Sequence, residues 1–157
     1  MSRMLGLTAK QSSVWEVASK GKTLEKTAKE LGTSKQNIHQ TLRIAQGILS
    51  KALLEIADAD HLEVKKLDPA AGVLWGYHRL LDNDVVVTFL PKRGVRVWYW
   101  TKNIEDVKDP RILEDSKRYL LEIAEERGIA LSKDQRTSHP AKLAQLIFKE
   151  LVPELQR

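Results

Sequence analysis

Residues 22–56 read KTLEKTAKELGTSKQNIHQTLRIAQGILSKALLEI, and this stretch decides the first half of the fold. Thr23 is an N-cap for a short helix, Leu24 to Leu31, with Leu24, Ala28 and Leu31 on one face. Gly32 supplies the turn, and Ser34 caps a third helix that meets no strong breaker until about Asp60. Upstream, Thr8 caps a first helix with Val14, Trp15 and Ala18 at helical spacing, ended by Gly21. The spacing Leu24-x3-Ala28-x3-Gly32-x5-Ile38 is the helix-turn-helix pattern. A small residue lets two helices cross closely, glycine takes a positive φ, and an apolar residue on the second helix locks the pair.

The third helix carries Ile38, Leu42, Ala45, Leu49, Ala52 and Ile56 at 4-3-4-3-4 spacing, a heptad-type stripe. Unbroken, roughly 25 residues at about 1.5 Å each make a rod of nearly 40 Å, longer than two short partner helices can cover. Its second half must then bury its stripe against the C-terminal domain or a second copy. Gly47 either kinks the rod or is carried through it at a cost of about 1 kcal/mol relative to Ala.

Composition narrows the function classes. The 157 residues are 42% apolar and 30% charged, a globular balance. Zero Cys excludes disulfides and thiolate metal or redox sites, and four scattered His lack ligand spacing, so neither a metal nor a cofactor is expected. The longest apolar runs are of the kind Val85-Val86-Val87, and MSRMLGL lacks a signal-peptide core, so a cytoplasmic protein without a membrane span is expected. Residues 1–52 hold 9 basic and 3 acidic side chains, whereas residues 53–157 hold 17 and 18. All the surplus positive charge lies in the first third, which suits a polyanion-binding module joined to something else.

Downstream the periodicity changes. Residues 61–72 (HLEVKKLDPAAG) read as a linker punctuated by Pro69 and Gly72. Val73–His78, Val85–Leu90 and Val95–Thr101 read as strands joined by the turns Asp82-Asn83-Asp84 and Pro91-Lys92-Arg93-Gly94. Short connections make them an antiparallel meander of three strands. Trp75, Tyr77, Trp98, Tyr99 and Trp100 cluster there. Alternation sends Trp98 and Trp100 to one face and Val95, Val97 and Tyr99 to the other. One face fits under two following helices, about Pro110 to Arg127 and Pro140 to Leu151; a second aromatic face left bare would be a dimer surface or a ligand platform. The expected fold class is therefore α+β. A helix-turn-helix domain (1–60) with a long third helix and a linker (61–72) precede a dimerisation or sensing domain (73–157) of three antiparallel strands and two helices.

The segment LTAKQSSVWEVASKGKTLEKTAKELGTSKQNIHQTLRIAQGILSKAL resembles the N-terminal half of the archaeal Tfx-type transcriptional regulators. It is more distantly similar to LuxR-type and sigma-factor region-4 helix-turn-helix domains. The resemblance covers about residues 5–58 and rests on Leu7-Thr8-x2-Gln11, Leu31-Gly32-Thr33-Ser34 and the polar run into Asn37-Ile38. The chain departs from that pattern at Lys26-Thr27, where such domains more often carry an acidic residue followed by Ile. The resemblance implies promoter DNA binding and gene regulation.

The residues suit that role. Lys35, Gln36, Asn37 and Gln40 are the expected base readers, since Gln and Asn pair bidentately with adenine and Lys or Arg with guanine; Arg43 reads a base or a phosphate. His39 shares the face but is not counted among the readers. Ser34 at the helix start suits a phosphate, and Lys10, Lys20, Lys22, Thr23, Lys26 and Lys29 track the flanking backbone. The expected function is sequence-specific binding of double-stranded DNA by a homodimer that regulates transcription. The alternative is a protein-interaction adaptor acting on RNA polymerase or general transcription factors. An enzyme is not expected: Glu63-Val64-Lys65 has nuclease-like spacing and Asp82 and Asp84 flank a turn, but no phosphate loop or recognisable nucleophile accompanies them.

Overall fold

The computed structural model describes residues 5–100 and 106–155. Helices α1 (Ala9–Ser19), α2 (Leu24–Leu31) and α3 (Lys35–Ala59) come first. Strands β1 (Glu63–Asp68), β2 (Val73–His78), β3 (Asn83–Leu90) and β4 (Gly94–Tyr99) follow, and then helices α4 (Pro110–Arg127), α5 (Lys133–Arg136) and α6 (Pro140–Leu151). The class is α+β. The sheet is antiparallel in the order β1-β2-β3-β4.

Four strands replace the three expected, because residues 63–68 of the supposed linker form β1. EVKKLD lacks the β-branched and aromatic density of the other strands. It is an edge strand whose lysines and whose bulge between Val64 and Lys66 protect its free rim, so only one side of it pairs. Of the strand expected over Val95–Thr101, Thr101 lies outside the described residues, as do residues 1–4 of the MSRMLGL segment.

The caps explain the helix boundaries. Thr8 and Gln11 form a capping box on α1, the Thr23 hydroxyl accepts from the Lys26 N–H, and the Ser34 hydroxyl accepts from the Asn37 N–H. Helix α3 runs through Gly47 without interruption. It buries Ile38, Thr41, Ala45, Leu49, Leu53 and Ala57, so the expected stripe is corrected: Leu42, Ala52 and Ile56 are only half-buried. A straight helix repeats every 3.6 residues, so a strict heptad stripe drifts by about 20° per heptad, and the buried line shifts by one residue along its second half.

That second half lies on the sheet. Leu53 and Ala57 pack with Leu62, Leu74, Val85 and Val87, and Val95, Val97 and Tyr99 close around them. The opposite sheet face, with Val86, Leu90, Trp98 and Trp100, packs under Leu120 and Ile123 of α4 and Leu143, Ile147 and Phe148 of α6. The alternation expected along β4 is thus observed. Both features that pointed to dimerisation, the long stripe and the aromatic strand face, are covered within one chain. A third cluster, Leu7, Trp15, Ala45, Leu49 and Phe89, joins α1 and α3 to the end of β3.

Candidate nucleic-acid interface

The turn between α2 and α3 sets the surface. Gly32 takes a left-handed φ of 64° as the C-cap of α2. The Thr33 N–H donates to the Ala28 carbonyl at 3.0 Å, which closes the helix and redirects the chain over three residues. Val14, Ala28 and Ile38 form the cluster that holds α1, α2 and α3 together. With Ile38 and Thr41 turned inward, the opposite face of the first turns of α3 faces solvent.

Gln36, His39, Gln40, Arg43 and Ile44 line one shallow depression on that face. All five are exposed, and among the described residues none of their side chains has a hydrogen bond or ion pair. Gln36, Gln40 and Arg43 are thus brought together as expected, with His39 among them.

Two expected base readers differ. Asn37 is half-buried, and its amide donates to Thr33 Oγ1 at 2.7 Å, so it braces the turn. Lys35 Nζ lies 3.3 Å from Glu25, an exposed pair that a stronger anion can replace at little cost. Of the backbone candidates, Lys22 pairs with Glu30 at 2.6 Å and Lys20 with Glu16 at 3.5 Å, whereas Lys10, Lys26 and Lys29 are exposed and have no ion pair among the described residues. The Ser34 and Thr23 hydroxyls are occupied as caps.

The sequence reading missed how far the face continues. Ile44, Gly47 and Lys51 are exposed and follow Gln36, Gln40 and Arg43 at three- and four-residue steps. The signal was the complement of the apolar stripe.

The enzyme-like residues are engaged with one another. Glu63 accepts from Lys65 at 3.2 Å and from Arg79 at 3.1 Å, and these bonds hold its carboxyl below the usual range. Asp84 accepts from the Trp75 indole at 3.0 Å, and Asp82 from the Tyr77 hydroxyl. Both Glu63 and Lys65 lie on β1, within the sheet. Among the described residues no group of three His, Asp or Glu is placed to hold a metal ion, and no helix is long and apolar enough to cross a membrane. Compared with known proteins, the chain matches no family model, no curated protein and no solved structure, so the resemblance over residues 5–58 stands on the residues quoted for it.

Proposed function

We propose that the chain is a sequence-specific double-stranded DNA-binding regulator of transcription that reads the major groove with the N-terminal half of α3. The observation that carries this reading is the group Gln36, Gln40 and Arg43. They share one exposed face, have no partner within the described chain, and stand in the part of the sequence that holds the surplus positive charge. The amides of Gln36 and Gln40 match the donor and acceptor edge of adenine, and the Arg43 guanidinium suits a base or a phosphate. Lys10, Lys26 and Lys29 are free to contact phosphates, and Lys20, Lys22 and Lys35 are released from exposed pairs when they do. Binding as a homodimer in the cytoplasm belongs to the same proposal, on surfaces other than the two the fold has covered.

The test is enrichment of bound fragments from a genomic pool, followed by salt titration on the enriched site. Gln36→Ala should lose about 1–3 kcal/mol of discrimination between sites, and Lys22→Ala should weaken all sequences alike and flatten the salt slope. A two-fold-symmetric site together with a dimer mass in light scattering supports the homodimer.

A second reading has its own observation. At the β2–β3 tip Leu80 is 93% exposed, with Leu81 beside it also exposed, an apolar pair of the kind that enters a protein partner. An adaptor using this tip on RNA polymerase or a general transcription factor would show no fragment enrichment, and Leu80→Ser would abolish its capture of the partner.

A further inference from the structure

Gly47 stands in the middle of a 25-residue helix, where glycine is the least favourable residue other than proline. Nothing in the fold asks for it. A Cβ built there would meet no atom within 4 Å apart from its chain neighbours and the backbone of its own helix turn, the position is exposed, and its φ is helical. Glycine at such a position leaves the helix backbone open to close approach by something outside the protein.

What comes close is indicated by its neighbours. Gly47 lies on the same line of α3 as Gln36, Gln40 and Arg43, directly opposite the buried stripe. Arg43 stands one turn before it and Lys51 one turn after. Both are exposed, and neither has an ion pair among the described residues. Two free cations therefore flank a gap without a side chain. Glu55 and Asp58 follow on the same face, so the positive stretch ends at Lys51. Gly47 is eleven residues beyond Gln36, about 16 Å along the axis, more than the roughly 12 Å width of the major groove. A helix whose first turns read bases meets the sugar-phosphate rim at that distance.

We propose that Gly47 is the seat of a backbone phosphate of duplex DNA, gripped between Arg43 and Lys51. This rests on the DNA-binding reading above and fixes where α3 leaves the groove. A side chain at position 47 lifts the helix off the phosphate and withdraws Lys51 from it.

The experiment measures fluorescence anisotropy of a labelled duplex at several salt concentrations, with one random-sequence probe and one enriched from the genomic pool. Gly47→Ala and Gly47→Leu should melt at or above the native temperature, since both residues favour a helix, yet bind progressively more weakly, Gly47→Leu by on the order of tenfold. Lys51→Ala should reduce the slope of log affinity against log salt by about 0.9 on both probes. In the Gly47→Leu background the same Lys51→Ala change should have almost no further effect, because the contact is already lost. Native-like binding by Gly47→Leu, or a Lys51→Ala effect that simply adds to it, overturns the phosphate seat while leaving the DNA reading intact. Absence of binding by the native chain to either duplex at low salt overturns the DNA reading and the seat together.

Discussion

The indole Nε1 of Trp15 donates to the backbone carbonyl of Pro69 at 2.9 Å, fastening helix α1 to the β1–β2 turn across 54 residues of chain. The same ring meets Phe89 edge-on at 5.0 Å, and the Arg127 guanidinium lies over it at 5.2 Å. Helices α1 and α4 and the sheet therefore share one anchor. Trp15→Phe should cost about 1 kcal/mol through the lost hydrogen bond, and Trp15→Ala about 3–5 kcal/mol. Because the helical segment and the sheet share this core, far-ultraviolet circular dichroism and tryptophan fluorescence should report one coincident unfolding transition in the native chain. Two separated transitions would show that α1–α3 unfold on their own.

Two glycines should respond in opposite directions. Gly72 has a φ of +68°, and a Cβ there would lie 2.5 Å from Trp15 Cζ2, so Gly72→Ala should destabilise by roughly 2 kcal/mol or more. Gly47→Ala, at an open helical position, should stabilise by up to about 1 kcal/mol. Thermal melts of the two single variants check both signs.

The Tyr99 hydroxyl donates to the Asp60 carboxylate, tying β4 to the end of α3. That hydrogen bond, burial and the Asp60 charge push the Tyr99 pKa from 10 up to about 12. Folded Tyr99 holds its proton more tightly than unfolded Tyr99, so the stabilisation is complete below pH 10 and is lost as pH rises through about 12. Urea midpoints at pH 8 and pH 11 should fall further for the native chain than for Tyr99→Phe. Equal falls would mean the bond contributes nothing.

Asn37 and Gln36 are adjacent in sequence and should behave differently. Asn37→Ala removes the bond to Thr33 and should cost about 1 kcal/mol of stability; on the DNA-binding proposal it should leave the ranking of DNA sites unchanged. Gln36→Ala touches no partner in the fold, so it should leave the melting temperature unchanged and alter the ranking. A changed ranking in Asn37→Ala would return that residue to the readers.

Much of this was legible in the residue order. Caps and stops are local, so Thr8, Thr23, Ser34, Gly32 and Gly128 mark helix ends that the structure repeats. The period-2 pattern from Val95 onward placed Trp98 of β4 and Trp100 just beyond it on one face before any contact was known. In the candidate site, the exposure of Gln36, Gln40 and Arg43 followed from their spacing against Ile38 and Ala45. What escaped was β1, whose charged residues carry no local strand preference and whose extended form comes from pairing with β2.

The sequence by itself determined where helices begin and end, which face of each element is apolar, and where the charge lies, because each depends on neighbours within a few residues. Only the tertiary structure decided what those faces meet. The outer half of α3 chose the sheet over a second copy because Leu53 and Ala57 find Leu74, Val85 and Val87 within the same chain. The amide of Asn37 turned toward Thr33, and the ring of Trp15 reached Pro69 across the fold. Such pairings join residues far apart in the chain or select one of several rotamers, and only packing in three dimensions ranks those alternatives by energy.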